Sequence, residues 1–235
     1  MHHGPRSVAA VALTFDDGPG AVTAAVLDVL GRHGARATFN VLGERIAGRE
    51  QPLVRAVRDG HEIGVHGWSH ADHRGRPLAR ARAAARAAAV VEAVCGVEPH
   101  VFRPPFGLTN RRLELAAAWY GLRTVLWDVD PRDFEQPGAD AIYERTLAAL
   151  RPGSIVLLHD DRPELAPTAD ALDRLLAELR RRSWAAVTTT ALLGAPSHLG
   201  RVTRGRQHAR ERARAPRRVD RKGRGAAGDR ARDSR

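Results

Sequence analysis

Seven short apolar runs with strand character, mostly separated by stretches of helical character, occupy most of this 235-residue chain. The strand-like runs are residues 8–15, 37–42, 62–66, 101–103, 124–129, 154–159 and 184–189. The helical stretches are residues 22–33, 53–59, 78–94, 111–120, 139–150 and 168–182. Most runs are continuously apolar rather than alternating, as in strands that are buried on both faces of a parallel sheet. The alternation therefore predicts an α/β fold.

Polar side chains stand where these runs end. The first run ends in Asp16 and Asp17, the third in His66, the fourth in Arg103 and the sixth in His159, and the fifth is followed by Asp130 and Asp133. Seven strands suit either an open doubly wound sheet or a barrel, and a barrel gathers the carboxyl ends of its strands into one mouth. We therefore favour an irregular (β/α) barrel with its functional site at that mouth.

The net charge of +11 is concentrated at the end of the chain. Residues 201–235 hold 14 Lys and Arg against 4 Asp and Glu, whereas the rest holds 24 against 23. This end segment has no aromatic residue, so it cannot bury enough surface to fold alone. We expect a catalytic domain over residues 6–195 and a disordered basic tail over residues 196–235. The tail is interpreted as a solvated extension, with contact to a polyanion or an acidic surface as the alternative.

No apolar stretch reaches the roughly 20 residues that a membrane helix needs. Residues 1–15 lack a small-residue cleavage site before Asp16, so they indicate a first strand rather than a signal peptide. As numbered, the sequence predicts a cytoplasmic protein, and an extracellular or cell-wall location is the alternative if the start is truncated. The single cysteine, Cys95, excludes an intramolecular disulfide and is expected to pack near a helix end.

The stretch "HGWSH" places His66 and His70 four residues apart, so that on a helical turn both face the same way. Two imidazoles and one carboxylate form a common ligand set for zinc or another divalent ion. A purely structural pair remains the alternative, because a chain with 11 histidines produces such a spacing by chance. His73 is interpreted as a surface loop residue.

The two aspartates in "TFDDG" are then expected to have different roles at such a metal site. Successive side chains of an extended segment point apart, so one of Asp16 and Asp17 can ligate a metal while the other faces the water beside it. A carboxylate in that place can act as a general base. The alternative is that Asp17 caps a following helix, which explains one aspartate but not both.

Two further stretches carry candidate catalytic groups. In "FRPPFG", Arg103 is placed to pair with an aspartate, and the N–H groups of Phe106 and Gly107 remain available for a ligand oxygen because prolines have none. In "VLLHD", His159 ends an apolar strand and can donate a proton, with Asp133 of "DVDPRDF" orienting it. The alternative for His159 is a buried, hydrogen-bonded histidine without a catalytic role.

The order of these stretches is more specific than any one of them. "TFDDG", "HGWSH", "RPPFG", "DPRDF" and "LLH" resemble, in this order, the five motifs of the polysaccharide deacetylases, the NodB-homology family or carbohydrate esterase family four. The resemblance extends over residues 8–193. It implies a distorted (β/α)₇ barrel. It also implies an enzyme that removes N-acetyl groups, or O-acetyl groups as the alternative, from sugars or other small amides.

The resemblance also implies roles for individual residues. By position, Asp16 is the expected general base and His159 the expected general acid. Asp17, His66 and His70 are the expected ligands of a divalent metal, usually zinc, with cobalt or another divalent ion as the alternative.

Supporting roles follow from the same resemblance. Arg103 is expected to orient the base, assisted by Asp130, and Asp133 is expected to tune the acid. The N–H of Phe106 is expected to stabilise the oxyanion together with the metal, and Leu157 is expected to line the acetyl pocket.

Three positions differ from the pattern of the family. Gly67 stands where Thr or Ser is common, which removes a hydroxyl next to the metal ligands and predicts a lower metal affinity. Phe106 replaces a frequent Tyr, with little effect expected because its role lies in the backbone. Phe134 replaces a frequent Trp at the acetyl pocket, which predicts a roomier pocket.

We therefore expect a monomeric, metal-dependent deacetylase of an acetylated glycan or a small acetylated amide. Chitin oligomers, peptidoglycan and xylan all remain open as substrates. The rival hypothesis is a non-enzymatic signalling or nucleic-acid-binding protein that acts through its basic tail. It is disfavoured because a receiver domain needs a lysine after its last strands, whereas the only lysine, Lys222, lies in the tail, which lacks aromatic residues that stack on bases.

Overall fold

Parallel strands form one curled sheet in the computed structural model, which describes residues 1–71 and 76–194. The strands within these residues are β1 (Ala10–Asp16), β2 (Thr38–Leu42), β3 (Glu62–Gly67), β4 (Val101–Phe102), β5 (Arg123–Thr124), β6 (Ile155–His159) and β7 (Ala185–Val187). Their order is β5-β4-β3-β2-β1-β6, and β7 pairs with the first half of β1. All these pairings are parallel, so the predicted α/β class and distorted barrel are confirmed.

Helices cover the outer face of the sheet. They are α1 (Thr23–His33), α2 (Glu50–Arg58), α3 (Pro77–Cys95), α4 (Arg111–Trp119), α5 (Ala139–Ala149), α6 (Ala166–Arg181) and a short α7 (Thr189–Leu192). The leucines that recur along α6, from Leu172 to Leu179, are all buried. A fully buried leucine contributes about 2 kcal/mol through removal of apolar surface from water, so this face anchors α6 to the core. Cys95 is the last residue of α3, as expected.

The central strands are buried on both faces, which explains their continuously apolar sequences. In β1, Val11 to Asp16 are all buried, and every residue of β2 is buried as well. The rings of Phe15 and Phe39 stack with their centroids 5.2 Å apart on neighbouring strands. A strand with one solvated face would show alternation instead.

The fifth strand is shorter than the predicted run 124–129. After β5, the N–H of Val125 donates to the carbonyl of Phe102 on β4, but Val129 forms an isolated parallel bridge to Val156 on β6. The carboxylate of Asp128 accepts the N–H of Ile155 at 2.7 Å and so replaces a ladder bond. Residues 125–129 thus cross from one edge of the sheet to the other as irregular chain.

The last predicted run, residues 184–189, is also shortened, and a helix follows it that the sequence did not indicate. Thr188 begins this helix by accepting the N–H of Ala191 with its side-chain oxygen at 3.3 Å. The N–H of Thr189 donates to the hydroxyl of Thr38 at the start of β2, at 2.8 Å. Both donors would otherwise be unpaired at the beginning of a helix, which favours α7 over further strand.

Three expectations lie outside the described residues: the surface position of His73, the boundary at residue 195 and the character of the tail over residues 196–235. They stay predictions. Within residues 1–71 and 76–194, no helix combines the length and apolar character that crossing a membrane would require.

Candidate active site

The carboxyl ends of three neighbouring strands meet around Asp16. In the register of the sheet, Asp16 at the end of β1 lies opposite Asn40 on β2 and opposite His159 on β6. His66 lies near the end of β3, the next strand beyond β2. Parallel pairing therefore gathers at one mouth residues that are up to 143 positions apart, as expected for a barrel.

Asp16 is buried and held by a network of donors. Its Oδ1 accepts one hydrogen bond from Nη1 of Arg103 at 2.9 Å and one from Nδ2 of Asn40 at 2.8 Å. The same Arg103 guanidinium donates to the hydroxyl of Thr14 at 2.6 Å and to the carbonyl of Leu126 at 3.1 Å. The predicted pairing of Arg103 with Asp16 is therefore present, and Arg103 itself is fully buried.

These neighbours keep Asp16 ionised. Burial alone would raise the pKa of its carboxyl, but the nearby charge of Arg103, smaller contributions from His66 and His159, and the hydrogen bond from Asn40 hold the pKa below its ordinary value. Burial acts on Arg103 in the opposite sense, because it lowers the pKa of a guanidinium, while Asp16 raises it. The result is a buried ion pair that is supported by further hydrogen bonds.

Asp17, His66 and His70 form a candidate metal centre. Oδ1 of Asp17 lies 3.6 Å from Nε2 of His66 and 3.7 Å from Nε2 of His70, and the three ligand atoms lie within 4.8 Å of one another. Oδ1 of Asp17 is buried without a hydrogen-bond partner. Nδ1 of His66 donates to the carbonyl of Arg103 at 2.7 Å, which leaves Nε2 as the atom that can bind a metal. The donor set thus fits a divalent ion.

The local backbone differs from the one expected for these ligands. His66 belongs to β3 and His70 to the bend that follows, so they do not share a helical turn. Gly67 turns the chain between them with a φ of +114°. Asp17 itself has a φ of +73°, which is a left-handed backbone conformation. This conformation, rather than the alternation of an extended strand, separates its side chain from that of Asp16.

Asp17 is also not a helix cap. Helix α1 begins at Thr23, and the position before it is Val22, which makes no side-chain capping bond. The structural alternative for the second aspartate is therefore wrong, and its carboxylate is left facing the two histidines.

His159 and Asp133 form the predicted pair. Nδ1 of His159 lies 2.7 Å from Oδ1 of Asp133, whose Oδ2 accepts the backbone N–H of His159 at 2.8 Å and the hydroxyl of Thr168 at 3.0 Å. Burial would lower the pKa of His159, but the hydrogen bond and charge of Asp133, with weaker help from Asp16 and Asp17, raise it to about 9. The imidazole is therefore protonated at neutral pH and can act as an acid.

The turn after β4 leaves one backbone donor near the metal centre rather than two. The N–H of Gly107 donates to the carbonyl of Pro104 at 3.0 Å and is not available for a ligand. Among the described residues, no acceptor is found for the N–H of Phe106, which has a φ of +59°. The Phe106 side chain is 56% exposed. Its ring meets that of His70 edge to face, with 4.4 Å between the two ring centroids.

Two of the expected pocket residues lie close to His159. Leu157 lies two positions earlier on β6, so it is buried on the same face of the strand. The Phe134 ring meets the imidazole edge to face at a centroid distance of 5.5 Å.

Asp130 is not brought to Arg103. It is exposed, and its Oδ1 accepts the N–H of Arg132 at 2.9 Å, which shapes the turn before Asp133. Within the described residues, the guanidinium of Arg103 is met by Thr14, Asp16 and Leu126 instead, so this structure gives Asp130 no contact for the expected supporting role.

Sequence reasoning missed Asp160, which follows His159 directly. Its side chain is fully buried, its Oδ2 accepts the hydroxyl of Thr23 at 2.5 Å, and its Oδ1 has no partner among the described residues. Burial, followed by the charges of Asp161 and Asp17, raises its pKa to about 7. Its carboxyl packs against the loop that carries Asp17. The adjacent "HDD" in the sequence was the signal that could have found it.

An ionised carboxylate, a protonated imidazole and three candidate metal ligands therefore lie around one mouth of the α/β fold. The chain belongs to the polysaccharide deacetylase family, whose profile matches residues 3–125, just over half of its length. This membership confirms the resemblance that the five motifs indicated.

Individual relatives agree with this membership. The chain is 42% identical over 191 residues to a chitooligosaccharide deacetylase of Sinorhizobium fredii, covering 75% of this chain and 86% of that protein. Its fold matches a peptidoglycan N-acetylglucosamine deacetylase with a TM-score of 0.76 and 30% identity, over 83% and 92% of the two chains. It also matches a cobalt-bound family 4 acetyl xylan esterase of Clostridium thermocellum with a TM-score of 0.73 and 34% identity, over 79% and 92%.

Proposed function

We propose that this protein is a metal-dependent hydrolase that removes N-acetyl groups from an acetylated oligosaccharide or polysaccharide. The observation that carries the proposal is the unpartnered, buried Oδ1 of Asp17, which faces the Nε2 atoms of His66 and His70 directly beside the ionised Asp16. A buried carboxylate oxygen without a donor is costly unless a cation occupies the space in front of it.

Asp17, His66 and His70 would hold the metal. Two imidazole nitrogens and one carboxylate oxygen suit zinc, with cobalt as the nearest alternative. When bound, such an ion activates a water molecule and polarises the carbonyl group of the substrate.

Asp16 would accept the proton of the attacking water. Its carboxylate is ionised well below neutral pH, because Arg103 and Asn40 stabilise the charged form. Both donors contact Oδ1, whereas Oδ2 lies on the side of His66, 3.8 Å from Nδ1 of that residue. One oxygen is thus fixed by the protein while the other is free of those two donors.

His159 would supply the proton that the departing amine needs. An amine leaves an amide poorly as an anion, so a positioned acid is required at this step. The raised pKa keeps the imidazole protonated at neutral pH, and Asp133 fixes the ring so that Nε2 carries the transferable proton.

The neighbouring residues would shape the acetyl group's environment. Leu157 and Phe134 offer apolar surface beside His159. The N–H of Phe106, for which no acceptor is found among the described residues, would donate to the oxygen that becomes negative during attack. Oligomers of N-acetylglucosamine are the first substrates to examine, because the relatives named above include deacetylases of chitooligosaccharides and of peptidoglycan. The nucleic-acid hypothesis gains no support from the described residues.

The test measures acetate release from N-acetylglucosamine oligomers by wild-type protein, by protein stripped with a chelator, and by stripped protein reloaded with zinc or cobalt. We expect activity to disappear on stripping and to return on reloading. His70→Ala should show both lower metal content by mass spectrometry and lower activity. Full activity in the stripped protein, with no metal detected, would contradict the proposal.

A further inference from the structure

The loop of residues 17–22, which joins β1 to α1 and carries the aspartate of the candidate metal centre, is held from two sides. On one side, the N–H of Val22 donates to the carbonyl of Asp160, which follows β6, at 3.2 Å. On the other side, the carbonyl of Gly18 accepts the N–H of Leu42, the last residue of β2, at 3.0 Å. The loop therefore lies between β2 and the segment that follows β6.

The aspartate ligand has a backbone conformation that its surroundings must hold. Asp17 has a φ of +73°, in the left-handed region that residues with a Cβ rarely adopt. Such a conformation persists where the surrounding structure over-determines it. The direction in which the Asp17 carboxylate faces His66 and His70 therefore depends on the groups that fix the loop.

The side chain of Asp160 fixes this loop at two points. Its Oδ2 accepts the hydroxyl of Thr23 at 2.5 Å, and the oxygen of that hydroxyl accepts the N–H of Gly20 at 2.8 Å. Its Oδ1 lies against Gly18, the residue after the metal ligand, where an added Cβ would come within 2.5 Å of this oxygen. Because Asp160 is fully buried and bonded to Thr23, its carboxyl has little freedom to move aside. The loop can approach this closely because position 18 is a glycine.

The segment that supports the loop also carries the candidate acid. The ring of His159 turns to Asp133, with 2.7 Å between Nδ1 and Oδ1, whereas the carboxyl of the next residue, Asp160, turns to Thr23. The backbone N–H of Asp160 also donates to the carbonyl of Asp16 at 3.4 Å. Two adjacent residues thus place the acid and support the loop of a metal ligand, which couples the positions of the two groups.

We propose that Asp160 is a positioning residue for the candidate metal centre. Its buried carboxyl holds the loop of residues 17–22 in the conformation that directs Asp17 towards the two histidines. The inference rests on the proposed metal-dependent function, and it gives Asp160 a part in metal affinity without contact to the metal. The shape of the side chain and its bond to Thr23 carry this part, since Oδ1 makes no hydrogen bond with any described residue.

The zinc affinities of four proteins test this role. They are the wild type, Asp160→Ala, Asp160→Asn and Asp128→Ala, and each Kd is measured by competition with a chromophoric chelator at one pH. Asp128→Ala is the matched control, because the carboxylate of Asp128 bonds the N–H of Ile155 at 2.7 Å, at the opposite end of β6 from Asp160. Denaturant titrations of the same proteins record the loss of stability.

We expect Asp160→Ala to raise the Kd for zinc about tenfold, as the loss of a group that supports a metal ligand does. Asp160→Asn should bind zinc like the wild type, because it keeps the size of the side chain and an acceptor for Thr23. Asp128→Ala should lose stability and keep its zinc affinity. The proposal is overturned if Asp160→Ala keeps the wild-type Kd, if Asp160→Asn loses as much affinity as Asp160→Ala, or if the control loses as much.

Gly18→Ala tests the same contact from the side of the loop. Its methyl group is forced against Oδ1 of Asp160, so this variant should also raise the Kd, and it tests the proposal even if Asp160→Ala does not fold. In the double variant the methyl group fills space that the carboxyl leaves, so the combined loss should be smaller than the product of the two single losses. Losses that multiply would show that the two residues act independently and would overturn the proposal.

Zinc binding without turnover separates this inference from the function on which it rests. If the variants differ in zinc affinity as expected but the wild type releases no acetate from N-acetylglucosamine oligomers, the positioning role stands and the deacetylase function fails. If the wild type releases acetate but Asp160→Ala binds zinc equally well, only the positioning role fails. A wild type that binds no zinc overturns both.

Discussion

His159 and His61 are two largely buried histidines at opposite ends of the sheet, and their pKa values are shifted in opposite directions. His159 ends β6 at the mouth of the barrel, where Asp133 raises its pKa to about 9. His61 precedes β3 at the opposite end of the sheet, where burial, followed by the charge of Arg36, lowers its pKa to about 4. Similar burial thus gives a charged imidazole at one end and a neutral one at the other.

The partners account for the difference. Nδ1 of His61 accepts the backbone N–H of Ala37 at 3.2 Å, its ring meets that of Phe39 edge to face at 5.7 Å, and its Nε2 has no partner among the described residues. No described carboxylate is bonded to this ring, so the uncharged form is favoured. The comparison teaches that the partner of a buried histidine, rather than its burial, identifies a candidate acid.

The largest expected effect concerns the two aspartates at the mouth, whose substitutions should change metal content and rate differently. Asp16→Asn should keep the metal, because all three ligands remain, and should lower the rate by about 10²–10⁴ through loss of the base. Asp17→Asn should lose metal and activity together. Metal content and acetate release are measured on the same preparations. The assignment of roles is reversed if Asp16→Asn loses the metal and Asp17→Asn keeps it.

The next prediction removes the cause of the difference in pKa between His159 and His61. Asp133→Asn removes the charge that raises the pKa of His159, so the pKa should fall towards 6.5. Because catalysis needs the protonated acid, the alkaline limb of the kcat profile should move to lower pH, with a loss of about 10–10² in rate at pH 8. Phe134→Leu, beside the same ring, should leave the position of the limb unchanged. An unshifted limb in Asp133→Asn would show that His159 is not the acid.

The two histidines should also have opposite effects on stability. His61, with its lowered pKa, costs stability as the pH falls from 6.5 to 4, since the unfolded chain binds a proton that the folded protein rejects. His159, with its raised pKa, stabilises the protein fully below pH 6.5, and this contribution is lost as the pH rises through 9.

His61→Gln tests the acid side of this pair. The change keeps an acceptor for the N–H of Ala37 but removes the titration, so the free energy of unfolding should fall about 2 kcal/mol less between pH 6.5 and 4 than in the wild type. Denaturant titrations at both pH values measure this, with the more exposed His33→Gln as the control. Acetate release at neutral pH should not change. If His61→Gln loses as much stability between pH 6.5 and 4 as the wild type, the acid sensitivity originates in other groups.

The smallest expected effect concerns Thr23, which connects the mouth to the loop carrying Asp17. Its hydroxyl accepts the N–H of Gly20 at 2.8 Å and donates to Asp160. Thr23→Val should cost about 1 kcal/mol of stability and also weaken metal binding. The control is Thr146→Val on α5, whose buried hydroxyl donates to the carbonyl of Ile142. If both variants lose stability but bind metal equally well, Thr23 is only structural.

The sequence predicted which residues meet at the mouth better than it predicted the backbone around them. The alternation of runs gave the α/β class, and the residues that end them, among them Asp16, His66, Arg103 and His159, do meet at one mouth. Strand β5 was predicted too long and helix α7 was not predicted, because the limits of both depend on side-chain hydrogen bonds of Asp128 and Thr188. Such bonds join residues whose proximity a local pattern does not reveal.

The sequence by itself therefore determined which residue types are present and at which strand ends they stand, because strand burial and chain order follow from local apolar patterns. Only the tertiary structure decided how these residues are arranged around one another at the mouth. The left-handed backbone at Asp17 and the turn at Gly67 bring three candidate metal ligands within 4.8 Å of one another. The charge of Arg103 lowers the pKa of Asp16, Asp133 raises that of His159, and burial raises that of Asp160. The arrangement of the candidate ligands and the pKa values both depend on distances and dielectric surroundings that exist only once distant segments have packed together.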